Sequence, residues 1–506
     1  MQEAKKLHAH IIVKGLQTRD HPLLRKLISF FALSNPSFLY YARLIFNAIE
    51  NPSTFTCNTM LRAYANSPNP IQAILLYNHM HAQALPPDNY TFPFLLKACS
   101  NLPSLPKGQE THCRLVKHGL NADIFVQNSL IHLYGSNSDI KTAHRVFNCM
   151  FERDVASWTT LVACYANFDS IESARRLFDD MPARSVVSFS AMVAGYVRRG
   201  RFKEALGLFL DFQVAGMEPN DSMLMSVLSA CANVGALDSG RWIHSYLHQI
   251  KGGEFDCRIT TALIDMYCKC GSVQDAWFVF EKANDKQVGE WTAMITGMAM
   301  HGFGERSIKL FENMVRLGIQ PNVVTFIALL SACTHAGLVK EGLRYFECMK
   351  AEYGIQPTIE HFGCVTDLLG RAGLIDEAIK IIRKMPMKAN AAIWGALLTA
   401  CRIHRNVEVG EIAARWLISE EPWNGAVYMS LVGLYSELGR RDDVERVKKE
   451  MKDVGSRKSP GCSMVEVDRA FHEFVAGDKS HPRAVEVCLN LGELIVQEKE
   501  NTWIFS

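Results

Sequence analysis

Apolar side chains recur every three to four residues along most of this chain, and the stripe is interrupted on a schedule. Between Val186 and Asn220, Phe189, Met192, Val193 and Tyr196 follow the i, i+3, i+4, i+7 spacing of one helix face. Gly200 breaks the run, and Phe202, Ala205, Leu206, Phe209 and Phe212 form the stripe of a second helix. Gly216 supplies a helix stop, and Pro219 forbids continuation. Neither helix can bury its stripe alone, so the pair must stack on a neighbour. The punctuation then returns. Met217-Glu218-Pro219-Asn220 and Gly318-Ile319-Gln320-Pro321-Asn322 each precede a new helical pattern, and Pro87-Asp88 and Gln356-Pro357-Thr358 repeat the signal. Pro219 and Pro321 are 102 residues apart, which divides into frames of 36, 31 and 35; Pro87 and Pro219 are 132 apart, or 35, 31, 31 and 35. A period in the thirties predicts a solenoid of helical hairpins rather than a globular enzyme core.

Applied to the whole chain, this frame predicts repeats at 21–53, 54–88, 89–123, 124–154, 155–185, 186–220, 221–256, 257–287, 288–322, 323–358 and 359–390, with 1–20 as a fragment of one more. Two further hairpins follow at 391–424 and 425–458, with Ile393, Trp394, Leu397 and Leu398 keeping the helical period. After Lys458 the pattern changes. Ser459-Pro460-Gly461-Cys462-Ser463 is a turn signal, residues 464–467 and 471–475 read as two short strands, and Leu489 to Lys499 reads as a final helix. The predicted fold class is all-α: a right-handed superhelical solenoid of helix-turn-helix repeats with a small C-terminal extension. Such an array offers one long concave surface, suited to an extended ligand.

Composition sharpens this only a little. Hydrophobic residues make up 48% of the chain, ample for a continuous core. A net charge of +2 produces no global basic field, so a nucleic-acid ligand would have to be met by local groups. Of the fifteen cysteines, Cys99, Cys231, Cys333 and Cys401 each fall in an Ala-Cys pair at the eleventh position of their frame. One helical position reused in four frames marks packing residues, too far apart to bridge. The others lack metal-ligand spacing. No apolar run reaches the roughly 18 residues needed to span a bilayer, so no membrane insertion is expected. No signal or transit peptide leads the chain, and its first residues already resemble the second helix of a repeat.

The repeats resemble pentatricopeptide repeats, specifically the plant class that mixes standard, long and short repeats. The resemblance rests on Leu263-Ile264-Asp265-Met266-Tyr267-Cys268-Lys269-Cys270-Gly271, on Trp291-Thr292-Ala293-Met294-Ile295 and on Asp367-Leu368-Leu369-Gly370-Arg371-Ala372-Gly373. Residues 391–458 resemble the E extension of that class, and the segments Pro460–Val467 and His472–Pro482 resemble the lead-in to its C-terminal deaminase-like domain. The resemblance implies binding of single-stranded organellar RNA, one nucleotide per repeat, read by the fifth and last residues of each frame. Carried over, Asn58 with Asp88 and Asn128 with Asp154 imply U. Ser190 with Asn220 and Thr292 with Asn322 imply A, while Thr159 with Ser185 and Thr261 with Gln287 imply a purine. Pro93, Met225, Ile327, Gly363 and Arg25 depart from the code at their fifth positions. The implied target is U-x-U-R-A-x-R-A across 54–322. Short polar residues at helix starts also serve as caps, an alternative use of the same side chains. The reading groups are expected to face the groove at regular intervals.

Catalysis is not expected. A zinc deaminase of this lineage needs His-x-Glu and Cys-x-x-Cys. None of the seventeen histidines has Glu two residues later, and no two cysteines are three apart. His472-Glu473 has the wrong spacing and reads as a surface strand pair. No phosphate-binding glycine loop or nucleophile elbow is present, and no cofactor is expected. Three functions therefore compete. The first is a site-recognition factor for C-to-U editing that recruits a deaminase in trans through the C-terminal extension, in mitochondria or alternatively chloroplasts. The second is an organellar RNA stability, splicing or translation factor. The third is a protein–protein scaffold.

Overall fold

The computed structural model describes residues 2–456 except 16, 17, 19, 35, 103 and 254, together with 462–467, 470–475 and Glu486. The predicted helix over 489–499 lies outside the described residues. Helices come in pairs along the chain: Thr54–Ala65 with Ile71–Ala82, Ile124–Ser136 with Ile140–Cys149, Val186–Arg198 with Phe202–Val214, Val288–Met300 with Gly304–Arg316. The array is all-α up to Asp453, and the only strands among the described residues are β1 (Cys462–Val467) and β2 (Ala470–Val475). They form an antiparallel ladder that pairs Cys462 with Val475 and Val467 with Ala470.

The chain divides into two compact bodies, residues 1–226 and 227–506. Within each, the first helix of a pair packs on the first helix of the next: Thr54–Ala65 on Thr91–Ser100 in one body, Val288–Met300 on Val323–Ala336 in the other. Second helices lie against their own first helix and the next one, as Gly304–Arg316 does against Val323–Ala336. The core is the sum of these stripes. Phe189, Met192, Val193 and Tyr196 are buried together with Phe209 and Phe212, as the periodicity predicts. Gly200 and Gly216 adopt φ of +70° and +68°, the left-handed conformation that ends a helix without a Cβ clash. Cys99, Cys231, Cys333 and Cys401 are all fully buried and unbridged.

Successive pairs are also tied by a recurring polar contact. A histidine on a second helix meets a tyrosine hydroxyl on the following first helix: His112 with Tyr134 at 2.8 Å, His144 with Tyr165 at 2.9 Å and His244 with Tyr267 at 2.8 Å; His8 Nδ1 makes the same contact at 2.7 Å with Tyr41, on the next second helix, Leu39–Asn47. One contact in the second body is far from local. Glu466 on β1 accepts from the Ser239 hydroxyl at 2.6 Å and from the Asp238 and Ser239 amides at 3.1 and 3.5 Å, at the start of helix Leu237–Lys251. Unpaired amides at a helix N-terminus favour a carboxylate there.

Candidate nucleic-acid interface

Every predicted reading residue sits at a junction between consecutive first helices. The last residue of each frame precedes a first helix and caps it. Asp154, Ser185 and Asn322 accept from the amides of Ser157, Ser188 and Thr325, and Asn220 accepts from Met223 at 2.9 Å. Gln287 forms a capping box with Glu290, and Asp88 accepts from the amides of Tyr90 and Thr91 at 3.0 and 2.9 Å. The capping use of these side chains is therefore real, and it holds them in place. The fifth residues lie one turn inside the preceding frame's first helix, where they meet the cap from the side.

Four of the six junctions couple the two positions. Asn58 Nδ2 donates to Asp88 Oδ1 at 2.8 Å. Asn128 acts on the charge of Asp154: burial pushes the Asp154 carboxyl up, but the Ser157 and Asn128 side chains outweigh that and hold it below the ordinary carboxylate value. The Ser190 hydroxyl donates to Asn220 Oδ1 at 3.1 Å. Thr292 Oγ1 lies 2.8 Å from Thr325 Oγ1, which in turn donates to Asn322 Oδ1 at 3.1 Å. The remaining two junctions are not coupled this way. The Thr159 hydroxyl is spent on the Val155 carbonyl at 2.6 Å and Thr261 on the Cys257 carbonyl at 2.7 Å, one turn back in their own helices. Gln287 Nε2 turns to the Asp285 carbonyl at 3.0 Å. These two junctions are the ones for which the code implies only a purine.

The expectation that the fifth residues stand open in a groove needs correction. Asn58 is 6% exposed, and Thr159, Ser190 and Thr292 are each 8% exposed. The next first helix packs directly over them, which is why their polar atoms find protein partners. Among the last residues, Asp154, Asn220, Gln287 and Asn322 are exposed, whereas Asp88 and Ser185 are half-buried. At Arg25, which departs from the code, Asp20 takes the side chain in an ion pair at 3.0 Å and also accepts from Thr56 Oγ1 at 2.9 Å.

Sequence reasoning missed the residue that organises these junctions. The third position of the frame is a fully or almost fully buried polar group in Thr56, Thr91, Ser157, Ser188, Glu290, Thr325 and His361. Thr91 Oγ1 lies 2.8 Å from Asn58 Oδ1 and 2.9 Å from Asp88 Oδ1, so its single proton is shared between the acceptors of the fifth and last positions. The signal was present as a polar residue at one register of an otherwise apolar helix start. It was hidden because such residues also fit a capping box.

Among the described residues no cluster of His, Cys, Asp or Glu could hold a metal ion, and no helix is long and apolar enough to cross a membrane. A cavity of about 890 Å³, lined by Trp277, Phe303, Arg306 and Lys309 among others, opens between helices Val273–Lys282 and Gly304–Arg316, and none of the predicted reading residues lines it.

Comparison with known proteins places this geometry. The PPR repeat profile matches residues 128–155, 156–186, 187–217, 259–288, 291–319 and 360–388; the PPR repeat family matches 52–101 and the pentatricopeptide repeat domain 309–371. The E motif matches residues 404–466. A pentatricopeptide repeat-containing protein of Arabidopsis thaliana is 46% identical over 487 residues, covering 96% of this chain and 78% of its own length. A second from the same plant, named as chloroplastic, is 38% identical and covers 99% of this chain and 84% of its own length. Among solved structures, that of the pentatricopeptide repeat protein PPR10 in complex with an 18-nt psaJ RNA element aligns over 86% of this chain and 75% of that one at 15% identity, with a TM-score of 0.44. Helix pairs in this register, the matched repeats and relatives of this closeness lead to one conclusion: the chain belongs to the plant pentatricopeptide repeat family and carries its E motif.

Proposed function

We propose that this protein binds single-stranded RNA in a sequence-selective way and marks a cytidine for C-to-U editing, with the deaminase recruited in trans by the C-terminal extension. The observation that carries the RNA reading is the coupling of fifth and last residues at four junctions, two as Asn/Asp and two as hydroxyl/Asn. Each pair combines a donor and an acceptor of fixed geometry, the equipment needed to address the Watson–Crick edge of an unstacked base. The editing role draws on the E motif over 404–466, which supplies a surface beyond the repeats for a protein partner. A mitochondrial site of action, with the chloroplast as the alternative, draws on relatives whose names place them in one or both organelles.

Binding is tested with an oligonucleotide of the pattern U-x-U-R-A-x-R-A against a scrambled one at fixed salt, because phosphate contacts alone give salt-dependent, sequence-blind affinity. Asn58→Ala and Asn128→Ala together are expected to erase most of the preference while leaving the scrambled oligonucleotide's affinity unchanged. An unchanged preference would overturn the assignment of readers. The editing role is tested in a plant lacking the protein: loss of one edited cytidine with normal transcript level supports it, and loss of the transcript itself supports a stability role instead.

A further inference from the structure

The second and ninth positions of the frame lie seven residues, about two helical turns, apart and so share one face of a first helix. In three consecutive repeats of the first body this face carries an aromatic ring and a basic side chain: Phe55 with Arg62, Tyr90 with Lys97 and Phe125 with His132. Their helices, Thr54–Ala65, Thr91–Ser100 and Ile124–Ser136, pack one on the next. Tyr90, just ahead of its helix, keeps φ −90° and ψ −25° and so continues the helical path. The rings are 60%, 66% and 72% exposed, and Arg62 and Lys97 are exposed on the same face. Among the described residues neither cation meets a carboxylate; Glu110, on the second helix next to Lys97's own, is taken by Lys107 at 3.0 Å and Arg114 at 2.7 Å. Burial and the Lys97 ammonium hold the His132 imidazole below its ordinary value, so the charge of the row at neutral pH is that of Arg62 and Lys97. The second body differs at both positions. None of its second positions is aromatic, and two of its ninth positions are acidic: Asp265 pairs with Lys269 at 2.9 Å and Asp367 with Arg371 at 3.0 Å, each within one helix.

We infer that this face of the first body is a sequence-blind anchor for single-stranded RNA, separate from the reading junctions, in which Arg62 and Lys97 take backbone phosphates beside a row of rings on which bases stack. The inference rests on the RNA reading proposed above. A cation with no carboxylate partner replaces the counterions of a phosphate, and their release drives binding whatever the sequence. Lys269 and Arg371 can do so only by giving up Asp265 and Asp367, whose charges then repel the phosphate. Exposed rings alternating with unpaired cations suit a strand that offers both phosphates and π-faces; an acidic peptide offers carboxylates and leaves the rings unused. Affinity is therefore concentrated in the first body, while base choice is made at junctions in both.

The test measures binding of the full chain to the patterned oligonucleotide and to its scramble across a salt series. Arg62→Gln combined with Lys97→Gln is expected to flatten the slope of log affinity against log salt by about 1.4, two contacts at about 0.7 each for a single strand, and to weaken both oligonucleotides equally, so that their ratio is kept. Lys269→Gln combined with Arg371→Gln is expected to leave the slope unchanged. All four side chains are exposed, and thermal melting checks that both variants fold. A slope that stays the same in the first variant, or falls equally in the two, overturns the inference and leaves the reading junctions standing. Tighter binding of a polyglutamate peptide than of the scrambled oligonucleotide of equal charge, lost on substituting Arg62 and Lys97, assigns the face to an acidic protein and also overturns it. A slope that falls as expected in a chain with no preference for the pattern overturns the assignment of readers and leaves the anchor standing. Failure to bind either oligonucleotide overturns both.

Discussion

His361 shows what a single buried polar group contributes here. Its Nε2 meets the Val323 carbonyl at 3.0 Å, and its Nδ1 accepts from the Thr358 amide at 3.1 Å, an arrangement that requires the neutral ring with the proton on Nε2. Burial pushes the imidazole below its ordinary 6.5, against the pull of the Val323 carbonyl and Glu360. The same direction, from burial, holds for His8, His112 and His244 in the histidine–tyrosine contacts. With the folded-state value below the unfolded one, the unfolded chain binds the extra protons. Stability is then full above about 6.5 and is lost as the pH falls below it. Chemical denaturation at pH 7.5 and pH 5.5 is expected to give a clear drop for the natural protein and a smaller one for His361→Gln. The register of the fifth and last positions was legible at this scale because it repeats, but the burial of Asn58, Thr159, Ser190 and Thr292 was not. The third residues were not, because a polar side chain near a helix start is equally at home as a cap, and only the packing of the next helix shows which atoms it serves.

Between elements, the distance of closest approach is set by small residues. A Cβ on Gly297 would overlap the Cys268 sulfur, and one on Gly135 would overlap the Cys164 sulfur, so each glycine leaves room for the cysteine side chain of the neighbouring first helix. Gly207, inside helix Phe202–Val214, meets nothing within 4 Å. Gly297→Ala should therefore cost about 1–3 kcal/mol through overpacking, whereas Gly207→Ala should be neutral or stabilising by up to about 1 kcal/mol through helix propensity. Urea unfolding of the two variants distinguishes these outcomes. The helices themselves were legible, as were the two strands, since periodicity and glycine or proline stops act locally. So was the burial of the four Ala-Cys cysteines. The glycine–cysteine contacts were not: Cys164 and Cys268 occupy different positions of their frames, and what pairs them with glycines is the spacing of helices in space.

For the molecule as a whole, nearly all contacts join neighbours along the chain, so stability is close to a sum over repeats and their interfaces. The bond from Glu466 to the start of helix Leu237–Lys251 breaks that rule, spanning 228 residues. Closing so long a loop carries an entropic cost that grows only logarithmically with length, but it is met only if the intervening helix pairs already hold the two ends near each other. The amides of Asp238 and Ser239 thus report on a stretch of chain they never touch. If any pair between them and β1 unstacks, Glu466 departs and both amides become free to exchange with solvent. In deuterium exchange, Glu466→Gln should speed both amides while leaving the rest of helix Leu237–Lys251 protected, and a destabilising change such as Gly370→Leu (a side chain there would collide with Ala400) should speed the same two amides from a distance. One carboxylate thereby turns an additive stack into a body with a seam, and the opening of that seam can be timed at two backbone nitrogens.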